Sequence, residues 1–169
     1  MDTTISLLIN GFLTLLGVVL GHFVTKYTYI FQRNYERKSD LVVDLYKEVI
    51  RLEFALKKYV HFTGAETGEG FKQRKIDELN HIKNNFQKFQ YKFWEVEIIL
   101  EENIVEKINH FLQTYIAITS KLTVSNISQQ LSDHGQSFDK WNESFEAVSN
   151  DLVKVKEELK KDFKKALQK

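Results

Sequence analysis

An uncharged run of 20 residues, Ile5 to Val24, takes a large share of the chain's apolar side chains out of any soluble core. Hydrocarbon cannot hydrogen-bond a peptide group, so a run of this kind is stable there only as a helix that closes its own backbone bonds. At about 1.5 Å of rise per residue it reaches about 30 Å, one bilayer core. Asp2 alone carries charge ahead of it, whereas Lys26, Arg33, Arg37 and Lys38 follow closely. By the positive-inside rule this asymmetry puts the C-terminal part in the cytoplasm and the N-terminus outside. No basic segment precedes the run, and it is longer than an ordinary signal-peptide core, so it reads as an uncleaved anchor. Tyr27, Tyr29, Phe31 and Tyr35 come next, at the depth where amphipathic rings prefer the headgroup region. The expected placement is therefore a membrane crossed once, with the C-terminal part in the cytoplasm.

Proline is absent from all 169 residues, where ordinary usage would supply about eight. A chain with no interruption of this kind is expected to form long helices. Cysteine is absent too, which excludes a disulfide framework and a thiolate metal site. The formal net charge of +1 offers no global field toward nucleic acid, but it averages over a pattern. Residues 26–75 hold 11 Lys/Arg against 7 Asp/Glu, residues 76–153 hold 6 against 12, and residues 154–169 hold 7 against 3. The basic excess sits directly after the apolar run.

Within and around that run the small and polar residues keep to one helix face: Thr3, Asn10, Thr14, Gly17, Gly21 and Thr28. Gly17 and Gly21 form a small-xxx-small step that lets helices approach closely, and Asn10 can hydrogen-bond across an interface. Two arrangements use such a face, a dimerising anchor and a ring of helices whose small, polar face lines a water-filled path. Leu8, Phe12, Leu15, Val19 and Phe23 on the opposite face suit lipid.

Helical periodicity continues downstream. Val42, Leu45, Val49, Leu52, Leu56 and Tyr59 mark a helix over about 32–62, which can run on from the membrane segment; a single helix from Ile5 to Phe62 would span about 87 Å. The stretch Thr63–Gly70 holds three of the seven glycines and is the clearest loop. A second helix carries Ile76, Leu79, Ile82, Phe86, Phe89, Phe93 and Val96 and is expected to end near Glu101; a third carries Ile104, Ile108, Phe111, Tyr115, Ile118 and Leu122. After a polar connection over Ser125–Ser137, a fourth carries Trp141, Phe145, Val148, Leu152, Val155, Leu159 and Phe163. The segment 93–100, FWEVEIIL, has strand character but no partner strand, so helix or a kink is expected. The fold class is thus all-α: a transmembrane helix over 1–26, a juxtamembrane helix over 27–62 entering the bundle, and the remaining helices of an up-and-down bundle over 63–169.

Catalytic and metal signatures are sparse. None of the five histidines forms a His-x3-His or Glu-x2-His pair, so no metal and no other cofactor is expected, and no nucleophile motif is present. His22, at the cytoplasmic end of the membrane helix, reads as interfacial packing.

One spacing carries more. Arg74 and His81, in RKIDELNH, are separated by six intervening residues, which fits the R-x(4–6)-H pattern of HEPN domains, helical bundles that often cut RNA as dimers. That chemistry needs a guanidinium to hold phosphate and an imidazole to move a proton, supplied by facing copies. Lys75 follows the arginine where Asn, His or Asp is usual, so the expectation is a degenerate pair without RNase activity. Together, the short membrane helix, basic juxtamembrane segment, proline-free bundle and Arg74…His81 pair resemble the small HEPN-like membrane accessory proteins of type VI-B CRISPR systems. The resemblance implies a homo-oligomeric membrane pore, with a HEPN-like bundle, that works beside an RNA-guided RNase effector in antiviral defence. Two alternatives remain open, a membrane effector gated by a small nucleotide messenger whose phosphates meet Lys72, Arg74 and Lys75, and a membrane-tethered scaffold; RNA is a further possible partner.

Overall fold

The computed structural model describes residues 2–61 and 69–168, and side chains within them from residues 11 and 70 onward. Among the described residues the chain is all-helical, with no strand. Helix α1 runs Asp2–His61, α2 Glu69–Val96, α3 Glu102–Gln130, α4 His134–Glu146 and α5 Leu152–Ala166. A 3-10 turn, Glu97–Ile99, follows α2, and a π-helical turn, Ala147–Asp151, joins α4 to α5. The chain divides into two compact units, Met1–Asp40 and Leu41–Lys169, and the boundary falls within the segment 27–62. The continuity expected between membrane and juxtamembrane helices holds, since both lie in α1.

In the first unit, residues 11–34 of α1 are exposed throughout, apolar side chains included. Among the described residues α1 is the one helix long and apolar enough to cross a membrane.

The second unit is a four-membered, up-and-down bundle, and its paired contacts fix the directions of its members. Asp44 lies 4.0 Å from Lys92 while the Tyr59 carbonyl accepts from Lys75, so α1 and α2 are antiparallel. Phe86 stacks on Tyr115 at 4.6 Å and Phe89 meets Phe111 at 6.1 Å, which sets α3 antiparallel to α2. The α4–α5 pair returns along both α3 and α1, with Lys107 on Glu158 at 2.7 Å and Tyr46 against Phe163 at 5.7 Å. The expected stripes of α1, α2 and α3 form the core, Ile76 and Val96 lying only at its margin.

Three expectations need correction or fall away. The polar stretch Ser125–Ser137 is helical except for Leu131–Asp133, because its small hydroxyls are spent inside the bundle. Ser125 Oγ donates to the Ser137 carbonyl at 2.8 Å, Ser128 Oγ bonds Gln136 at 2.6 Å, and the Asp133 carboxylate caps α4 by accepting from the Gln136 amide at 3.1 Å. Ser132 turns the chain there with a left-handed φ of 63°. Phe145 is not core: the π turn takes up one more residue than an α-turn, so the stripes before and after it do not share a phase, and Ser144 is buried instead. Phe145 sits on the rim, edge-on to His61 at 4.7 Å. The loop expected over Thr63–Gly70 lies mostly outside the described residues, and α2 has already begun at Glu69. The segment 93–100 is helix running into the 3-10 turn, with α2 ending at Val96.

One buried ion cluster links the first and last bundle helices. Glu53 is 5% exposed and accepts from Lys57 at 2.8 Å and from Lys156 at 3.1 Å. Lys156 also meets Glu157 at 3.3 Å. Burial pulls the Lys156 ammonium down, but the hydrogen bond and charge of Glu53, helped by Glu157, win and raise it above the ordinary lysine value. Removing one member of a buried pair strands the other, while removing both is often nearly neutral. Glu53→Leu should therefore destabilise the full chain by about 2 kcal/mol, and Glu53→Leu with Lys156→Met by less than about 1 kcal/mol, as read by chemical denaturation in detergent.

Candidate functional site

Two regions carry the residues singled out above, the apolar first part of α1 and the first half of α2. In the former, Thr14, Gly17 and Gly21 share a face by their steps of 3 and 4, and beyond the helix's own neighbouring backbone nothing of this chain lies within 4 Å of where a Cβ at either glycine would stand. That face is open to a neighbouring helix. The side chain of Asn10 lies outside the described residues, though its backbone is helical and in phase with Thr14. Downstream, Thr25 Oγ1 donates to the Gly21 carbonyl at 2.8 Å and Thr28 Oγ1 to the Val24 carbonyl at 2.8 Å. Hydroxyls satisfied within their own helix do not require water, so Thr28 is compatible with a dry interface as well as a wet one. Of the juxtamembrane cations, Lys26, Arg33 and Arg37 are exposed and Lys38 is half-buried.

On α2, Arg74 and His81 are both exposed and, seven positions apart, lie nearly above one another on the same face. Two turns separate them by about 10 Å along the axis, too far for one phosphate to meet both groups of a single chain. Any joint chemistry would need the facing copy.

The next residue is placed differently. Lys75 is buried, with its ammonium 4.3 Å from the centre of the Tyr59 ring, 5.7 Å from Trp141 and 5.9 Å from Phe71. It donates to the Tyr59 carbonyl at 3.0 Å and lies 3.6 Å from Glu78. That carbonyl belongs to the last turn of α1, where backbone acceptors have no partner within the helix and the dipole favours a cation. Lys75 is therefore a cap supplied by α2 to the end of α1, enclosed by three aromatic rings. It is withdrawn from the role of meeting a ligand phosphate; Lys72 and Arg74 beside it remain exposed. Burial pulls the Lys75 pKa below the usual 10.5, while Glu78 pulls it back. Tyr59 is pushed up to about 12 by burial against the opposing hydrogen bond from Asn126, whose Nδ2 donates to the phenol oxygen at 3.1 Å.

The sequence held a signal for this position. Counting back from Phe93 through Phe89, Phe86, Ile82 and Leu79 in steps of 4, 3, 4 and 3, the next step of 4 reaches Lys75. A lysine in register with a core stripe marks a buried ammonium with a partner.

Two grooves complete the bundle surface. One, of about 350 Å³, lies between α3 and the π turn and is lined by His110, Thr114, Lys121, Asp151, Lys154 and Glu158. Its charges are partly spent, since Lys121 meets Glu143 at 3.2 Å and Glu158 meets Lys107 at 2.7 Å. The other, of about 470 Å³, lies between α1 and α2 and presents Arg51, Lys88 and Lys92, with Arg51 held by Glu48 at 2.6 Å. Among the described residues no cluster of three or more metal-ligating side chains occurs.

No known protein family, no curated protein and no solved structure matches the chain.

The lowered Lys75 pKa has a definite sign in stability. The unfolded chain holds this proton more tightly than the folded one, so stability rises with pH between the lowered folded value and 10.5. Lys75→Met should flatten that rise in the melting temperature; identical slopes in both proteins would remove the buried ammonium from the account. Arg74→Ala with His81→Ala should leave RNA cleavage by the purified chain at the background of the unmutated protein, measured on labelled single-stranded RNA.

Proposed function

We propose that the chain is a single-pass protein of the bacterial inner membrane, with a cytoplasmic bundle, that assembles into a ring through its membrane helix. On a signal received by the bundle, the ring permeabilises the membrane. The observation that carries this reading is the bare first unit: an apolar helix without cover over residues 11–34, with open space at Gly17 and Gly21. Lipid can cover the apolar side, but a small-residue face gains little from lipid and much from another helix. The setting implied by the resemblance is antiviral defence, as a non-enzymatic accessory of an RNA-guided RNase. The exposed pair Arg74 and His81 would then be a HEPN-like surface for RNA or for the effector.

The satisfied hydroxyls of Thr25 and Thr28 favour a second reading, in which the same face packs dry and the helix only tethers a scaffold. A messenger-gated effector draws less support, because Lys75 is enclosed.

Gly17→Leu with Gly21→Leu should shrink or abolish the oligomer seen by native mass spectrometry in detergent. Expressed with its activating partner, the unmutated chain should depolarise the inner membrane in a voltage-sensitive dye assay, and Asn10→Leu with Thr14→Leu should blunt that response at equal expression. An oligomer that never depolarises the membrane would leave the tether as the function.

A further inference from the structure

The most exposed large apolar side chain of the bundle lies at the junction of α2 and α3. Ile98 is 91% exposed in the 3-10 turn, Ile99 and Trp94 are more than half exposed, and Tyr91 is 65% exposed and edge-on to Trp94 at 5.7 Å. Their exposure follows from the turn itself: Val96 and Leu100 reach the core from either side of it, so the residues between them point away. Four carboxylates, Glu95, Glu97, Glu101 and Glu102, flank this knob in the sequence, and the single cation of residues 91–102, Lys92, lies 4.0 Å from Asp44. An acidic rim of this kind repels an anionic lipid surface and suits a basic protein surface.

The chain itself contains a surface of matching chemistry. On α1, Tyr27, Ile30 and Phe31 are exposed at helical spacing, and exposed Arg33 and Arg37 continue the row from Ile30 at steps of 3 and 4. The knob also lies at the right end of the bundle. Lys92 stands opposite Asp44, so the C-terminal end of α2 is at the end of the second unit where α1 enters. The knob is thus at the end of the second unit that follows residues 27–37 in the chain.

We infer that the α2–α3 knob of one copy docks on residues 27–37 of the next, Ile98 and Trp94 seating against Ile30 and Phe31 while Glu95 and Glu97 face Arg33 and Arg37. The aromatic and aliphatic anchors supply the contact, and the charges set its register and partner. The two patches are different, so the contact is head-to-tail, the kind that closes into rings rather than stopping at a twofold dimer. This inference rests on the assembly proposed above and gives it a cytoplasmic contact besides the glycine face.

Native cysteine is absent, so cross-linking is free of background. Differently tagged chains carrying Ile98→Cys and Phe31→Cys, coexpressed in membranes and treated with a short bis-maleimide, should give a covalent mixed dimer. Glu95→Lys with Glu97→Lys in the first chain should lower its yield at least fivefold, and Arg33→Glu with Arg37→Glu in the second should restore it. A missing mixed dimer in an oligomer that still depends on Gly17 and Gly21 would overturn the docking surface and leave the proposed assembly standing. A mixed dimer indifferent to both charge reversals would overturn the pairing. A monomeric chain in native mass spectrometry would overturn assembly and docking together.

Discussion

On the proposed reading helix α1 must be stable in two solvents, and this constraint organises the chain. Over its first part the backbone has no outside partner when lipid surrounds it, so every amide that can must close within the helix, and the Thr25 and Thr28 hydroxyls likewise find their acceptors on carbonyls of the same helix. Over residues 42–60 the same helix is one wall of an aqueous bundle, and its stability comes from burying Val42, Leu45, Val49, Leu52, Leu56 and Tyr59. The glycines are tolerable in the first part for a reason that does not apply in the second. A glycine costs helix propensity in water, whereas at Gly17 and Gly21 it opens a face for another helix.

Where α1 ends, the bundle must absorb the carbonyls of its last turn, and Lys75 does so from the neighbouring helix. An ammonium enclosed by Tyr59, Trp141 and Phe71 is costly to desolvate, and the compensation is specific: one backbone acceptor, one carboxylate and three ring faces drawn from α1, α2 and α4. Glu53 with Lys57 and Lys156 makes a similar junction between α1 and α5. Interdigitating Leu and Phe side chains tolerate a slip of one turn better than these ion contacts do. Buried ions of this kind fix register more than they add stability.

Legibility followed the type of force. Helices held by an apolar stripe, Val42 to Tyr59 and Ile104 to Leu122, could be read from spacing because every step of 3 or 4 buries the same kind of group. Helical turns held by hydroxyls could not: Ser125 and Ser128 look like loop residues until their partners Ser137 and Gln136 are known. The π turn leaves no periodic mark of its own, so Phe145 falls by spacing into a core stripe whose phase changes just beyond it. In the candidate site, the small-residue face of α1 is legible as a pattern. The burial of Lys75 is hidden in RKIDELNH, where its charge masks its place in the stripe.

On the HEPN-like and pore-like readings a single copy is incomplete. Arg74 and His81 are about two turns apart and cannot share a phosphate within one chain. A polar helix face encloses no path until other helices complete it. Both the HEPN-like and the pore-like readings therefore place the decisive step in the encounter of copies. A signal at the bundle can act on the membrane helices only if it changes the contacts that differ between their arrangements. On the proposed placement the glycine face lies within the membrane, remote from such a signal. On the proposed docking, the contact between the acidic knob and a neighbour's residues 27–37 lies on the bundle side of the apolar run, where binding to the bundle could strengthen or release it and so alter how the membrane helices pack.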